Sequence, residues 1–311
     1  MIAIRPINIT NAILTASNVT EDDYAEWSVV TVYTAGDNCI VIGTTHKIYE
    51  AIVNVTGGDS PEIDVLNDVP KWLEISSTNR WKMFDWVSES QTTNTDTIIV
   101  TLTPGELINS IVLLNLDASR ITIVVNDLID GEVYNKTILL EATELIIWGP
   151  DEQWGTDEYW QGGSYLEFVE KVGVKTDLPP YPNATITVTI IGSSATVKCG
   201  TLIIGRYKTL GITSWSPSVG IIDYSIKEAD TFGNFSIVPR AYSKRISCVF
   251  VMNTSYHAEV FRFLTAYRAK PLVWILGDNY NVTIVYGFYK EFTINLGLKL
   301  SDCSITLEGL T

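Results

Sequence analysis

Hydrophobic period constrains this chain more than any other feature. Apolar residues recur at every second position, or run as short β-branched stretches, in TIIVTLTPG (97–105), SIVLLNLDAS (110–119), RITIVVNDLIDG (120–131), ATITVTIIGSS (184–194), ATVKCGTLIIG (195–205), NVTIVYGFYKEFTINLG (281–297) and CSITLEGL (303–310). Side chains of a strand point alternately to opposite faces, so this period specifies strands and not helices. Pro104-Gly105, Asp130-Gly131, Gly192-Ser193 and Gly277-Asp278 separate the runs as turn signals. One segment keeps a helical period, SYHAEVFRFLTAYRA from Ser255 to Ala269, where Val260, Phe263, Leu264 and Tyr267 recur at three and four residues. It stops before Pro271, as a helix must. A second candidate, Ser60 to Asn67, is short enough to be a loop with one turn. The expected class is all-β, with one helix near the C-terminus.

At 311 residues the chain exceeds the size of a single economical core. Four units are expected: an extended arm at 1–24, a small aromatic module at 25–78, a jelly-roll-like β-sandwich at 79–206 and a β domain with one helix at 207–311. Charged residues make up only 18% of the chain against 46% hydrophobic, which fits a subunit that buries surface against other copies. The net charge of −15, with 21 Lys and Arg against 36 Asp and Glu, disfavours nucleic acid as a partner. No apolar run reaches the length of a membrane helix, and MIAIRPINITNAIL lacks the pattern of a secretory leader, so neither membrane insertion nor export is expected.

Reactive chemistry is thinly represented. Cys39, Cys199, Cys248 and Cys303 each sit inside a strand-like run and are expected to be buried free thiols. The two histidines, His46 and His257, fall in different units and read as surface or capping residues, which leaves a nucleophile without a base. No zinc, nucleotide or nucleophile-elbow motif occurs, so no cofactor, metal or catalytic residue is expected.

In the small module, Trp27, Tyr33, Gly36, Asp37, Gly43, Tyr49, Ala51, Pro61 and Trp72 form the ordered pattern W…VYxxGDxxxxxGxxxxxYxA…P…W. This set resembles the small chitin- and cellulose-binding modules appended to bacterial glycosidases. It departs from them at Cys39, where an aliphatic residue is usual, and in its longer acidic loop from Gly57 to Asp68. The resemblance implies saccharide contact through Trp72, Trp27 and Tyr49. Trp72 is the foremost candidate, because Pro70-Lys71 beside it looks exposed. The competing reading of the same aromatic residues is the packing that a unit of this size needs.

The run NRWKMFD (79–85), followed by LTPG (102–105) and INSIVLLNLDAS (108–119), is similar to domains of phage tail proteins. GIIDYS (220–225), the FGN turn with RAYSKR (240–245), AYRAKPLVWI (266–275), VYGFYKEF (285–292) and CSITLEGL resemble minor-tail or tail-tip proteins. These likenesses imply a virion component of a bacteriophage tail, made in the host cytoplasm, whose partners are other copies of itself, other tail proteins and host surface polysaccharide. Trp148, Trp154 and Trp160 recur every six residues in an acidic segment, a spacing that fits neither helix nor strand. They are candidate interface residues, with glycan contact, a metal or catalysis as alternative readings. Arg240, Lys244, Arg245, Arg268 and Lys270 form the densest basic cluster. It is either a solvated face or, through Arg240 and Arg245, a contact with an acidic patch on a neighbouring copy. A glycan-binding adhesin and, more remotely, a glycosidase are the alternatives to a structural subunit.

Overall fold

A computed structural model describes residues 1–43, 45–87, 89–140, 143–147, 164–168, 171–214, 217–229, 231–277 and 281–310. The chain begins with β1 (Ile2–Pro6) and β2 (Leu14–Ser17). The small module follows as β3 (Val32–Tyr33), β4 (Asn38–Val41), β5 (Lys47–Ala51), β6 (Val55–Thr56), the single-turn helix α1 (Pro61–Asp64) and β7 (Trp72–Ser77). The middle of the chain supplies β8 (Thr92–Leu102), β9 (Ser110–Asp117), β10 (Arg120–Asp127), β11 (Gly131–Leu139), the paired β12 (Thr143–Ile147) and β13 (Ser164–Phe168), and β14 (Val172–Lys175). Then come β15 (Thr185–Thr209), β16 (Ile212–Thr213), β17 (Ser218–Asp223), β18 (Ile226–Ala229), β19 (Phe235–Val238) and β20 (Tyr242–Asn253). The chain closes with α2 (His257–Ala266), β21 (Leu272–Ile275), β22 (Ile284–Asn295) and β23 (Leu300–Gly309). The fold is all-β, as the period of the sequence requires. The one long helix lies where the three-and-four spacing put it, and the candidate at Ser60 to Asn67 is the single turn α1.

Fourteen strands form one antiparallel network ordered β11-β10-β15-β1-β21-β22-β23-β20-β16, with β2, β8, β9, β14 and β17 attached beside it. The 25-residue β15 is its spine. Ile186 to Ile191 lie between β10 and β8, Lys198 to Gly205 pair with β9, and Gly205 to Thr209 pair with β1. The turn expected at Gly192-Ser193 is therefore absent, because β15 passes through it as a register shift between Ile191 and Thr196. A bulge, like a turn, accommodates a glycine while keeping the strand going in a new direction. The boundary expected between residues 206 and 207 falls inside this strand.

The β-branched alternation gives three buried clusters. Ile98, Val100, Leu113, Ile121, Ile123, Val188 and Cys199 fill the fold of β8, β9, β10 and β15. Phe250, Leu272, Trp274 and Leu307 lie under α2, which inserts Val260 and Leu264. Ile4, Val112, Ile203, Val273 and Tyr286 form the seam between these two halves. The N-terminal segment crosses that seam: β1 pairs with β15 on one side and with β21 on the other.

Close approach of β1 explains Gly205. A Cβ there would lie 2.1 Å from the Arg5 carbonyl oxygen, inside backbone that has no room to yield. Gly205→Ala is expected to destabilise the protein by about 1–3 kcal/mol, the usual cost of overpacking. An unchanged denaturation midpoint in urea would contradict that contact.

Candidate functional site

The aromatic set of the small module turns inward. Trp72 is 1% exposed, and its ring meets Tyr33 edge-on at 5.0 Å between centroids, with Tyr49, Cys39, Ala51 and Val55 around it. Burial also raises the phenol of Tyr49 above its usual range. Trp27 packs on the edge of this cluster, and Gly36 and Gly43 take the positive φ values that the two tight turns need. The expectation of saccharide contact through Trp72 and Tyr49 is thus corrected, because a buried ring offers no face to a sugar. Position beside Pro70-Lys71 misled, since the buried Asp64 of α1 reaches across to accept the backbone N–H groups of Lys71 (2.5 Å) and Trp72 (3.1 Å) and pulls the strand inward. What the module exposes instead is aliphatic: Val30, Val32, Leu66, Val69 and Leu73. Aliphatic patches suit protein contacts better than sugar stacking.

Both ends of the module are tied at one buried point. The Glu21 carboxylate meets His46 Nδ1 at 2.7 Å and accepts from Thr78 Oγ1 at 2.8 Å, with the Arg80 guanidinium 3.6 Å away. His46 Nε2 faces Asn11 Oδ1 at 2.6 Å, and the ring stacks on Trp81 at 4.2 Å. His46 is therefore a buried tether and not the surface residue expected, and neither of its nitrogens meets a hydroxyl or thiol. His257 does act as a cap, through Nδ1 on the Thr254 carbonyl oxygen. No group of three or more His, Cys, Asp or Glu suited to a metal ion occurs among the described residues.

Trp148, Trp154 and Trp160 lie outside the described residues. Arg240 and Arg245 are both exposed, Arg240 after β19 and Arg245 on β20 opposite Gly220 and Glu308. Lys244 of the same cluster is different: its Nζ donates to the Ile284 carbonyl oxygen at 3.0 Å, and burial lowers its pKa.

Beside these arginines stands a surface that the period of the sequence did not single out. The hairpin of β18 and β19 stands off the main sheet as its own two-stranded unit, and every residue of β19 is exposed. Phe235 is 73% exposed, Ile237 62%, and Phe232 at the turn 89%. At the far end of β20, the turn between β22 and β23 exposes Leu296, Leu298 and Leu300. Phe232 and Leu298 stand at turns, where polar residues are the rule, and that placement was the readable signal.

All four cysteines are free and buried. Burial pushes the thiols up to about 12 at Cys39 and Cys199 and about 11 at Cys248 and Cys303. Thiolate is the reactive form, so no thiol is expected to react rapidly with an aromatic disulfide reagent near pH 8, and all four are expected to do so after denaturation. One fast equivalent in the native protein would contradict the burial. Among the described residues no helix is long and apolar enough to cross a membrane. Comparison with protein-family models and with curated proteins finds no match to this chain.

Proposed function

We propose that the chain is a structural subunit of a bacteriophage tail, joined to copies of itself through the apolar ends of its C-terminal sheet, and that it is not an enzyme. The observation that carries the assembly reading is the β18–β19 hairpin, whose Phe235 and Ile237 stand in solvent. Large contiguous apolar projections are rare on monomers and mark contact surfaces. Geometry favours a ring. The hairpin extends from the Tyr242 end of β20 and the β22–β23 turn lies at its Asn253 end, so two different apolar projections are separated by the twelve residues of that strand, about 40 Å. Head-to-tail contact between unlike patches gives a ring where the rotation between copies closes and a filament where it does not, whereas one self-complementary patch gives a dimer. Arg240 and Arg245, exposed near the hairpin, fit a contact with the acidic surface of a chain that carries net charge −15.

The tail assignment rests on the motif resemblances of residues 79–119 and 220–310. The small module, with its exposed aliphatic side chains, is read as a docking unit for another tail protein. Light scattering of the purified protein and electron microscopy of tails labelled with an antibody to this chain test the reading. The expected outcome is a ring of identical copies and a label at the tail. A monomer at every soluble concentration would refute the assembly, and unlabelled tails would refute the tail assignment.

A further inference from the structure

A cleft of about 690 Å³ opens at the seam of the two halves, where β1 passes between β15 and β21, and the loop after Phe84 forms one of its walls. We propose that this cleft binds a neutral saccharide, with one sugar ring stacked on Trp86 and its hydroxyls held by Arg5, Glu106 and Lys270. The proposal does not depend on the assembly reading.

Three observations carry it. Trp86 is 64% exposed at the rim, a large flat ring left in water, and its loop is braced: Asp85 Oδ1 accepts from the Val87 N–H at 2.9 Å and from Ser90 Oγ at 3.1 Å. A braced exposed ring gives the C–H face of a sugar a platform at little entropic cost. The ionisable lining balances, Arg5 and Lys270 against Asp85 and Glu106, so the cleft favours neither an anion nor a cation. Arg5 is already oriented, with one guanidinium nitrogen 3.4 Å from Tyr267 Oη and another 3.7 Å from Glu106, and forked donors beside a carboxylate suit vicinal hydroxyls. Finally, Thr201 belongs to the lining, is almost wholly buried, and its Oγ1 has no hydrogen-bond partner, a state that buried hydroxyls rarely keep. Tyr286 stays a neutral phenol, since burial and then the Asp85 carboxylate push its pKa up to about 12. The volume lies in the range of small-ligand sites.

The test is saturation-transfer NMR on the whole chain with maltose, lactose, cellobiose and diacetylchitobiose, and with inorganic phosphate as the charged probe. At least one disaccharide is expected to bind saturably. Its Kd is expected to rise about tenfold or more in Trp86→Ala, the size of one lost aromatic contact, and to rise in Lys270→Ala. Trp27→Ala, in the small module, is expected to leave it unchanged. Both Trp86 and Lys270 are exposed, so these variants should keep the parent's unfolding midpoint, which is measured alongside. Binding of none of the four sugars, binding of phosphate in their place, or equal sugar affinity in Trp86→Ala overturns the proposal.

Discussion

Trp72→Ala is expected to unfold the small module while the fourteen-stranded network stays folded. The module has one core cluster of its own, made of Tyr33, Cys39, Val41, Tyr49, Ala51, Val55 and Trp72, and Trp72 is its largest fully buried side chain. Removing a buried tryptophan costs about 3–5 kcal/mol, because the lost burial is compounded by the cavity left behind. A unit of roughly 50 residues has little reserve against such a loss. Hydrogen exchange reads the outcome by region: amides of β4, β5 and β7 should lose protection, and those of β8, β10 and β15 should keep it. Unchanged protection in β5 would mean that Trp72 is not the centre of this core. The same result bears on function, since a sugar-binding assay of Trp72→Ala would compare a folded module with an unfolded one.

Strand identity was legible because alternation is local: TIIVTL and RITIVV each declare a face within six residues. Partnership was not. IAIRP reads as a short extended arm, and only pairing with residues some 200 and 270 positions away makes it the strand that joins the two halves. β15 hid its length because Gly192-Ser193 has the chemistry of a turn, and whether such a pair turns or bulges depends on neighbours that a local window does not contain. Burial in the module was misread for the same reason. Lys71 is exposed as its sequence suggests, but the Asp64 carboxylate, seven and eight residues back, holds the backbone N–H groups of Lys71 and Trp72, and Trp72 is buried. His46 carried one weak hint, its place at the end of a glycine turn, where it adopts a positive φ of 52°. Its partners, the buried Glu21 carboxylate and the exposed Asn11, lie 25 and 35 residues away.

Phe235→Ser combined with Ile237→Ser is expected to dissociate the assembly without unfolding the subunit. Both side chains stand in solvent on a hairpin that pairs only with itself among the described residues, so the fold gains little from them. The hot spots at the centre of an interface contribute about 2 kcal/mol or more each, so loss of two of them should weaken association by roughly a thousandfold. Leu298→Ser, at the opposite end of β20, should weaken it by about thirtyfold on the same basis. Mixing the two variants distinguishes how the copies meet. If hairpin meets turn head to tail, each variant keeps one intact patch, and the mixture yields heterodimers joined by the parental contact but no rings. If the hairpin meets a second hairpin, the double variant stays monomeric in the mixture while Leu298→Ser forms dimers alone. Light scattering separates these outcomes. Assembly of the double variant equal to that of the parent would remove the hairpin from the interface altogether.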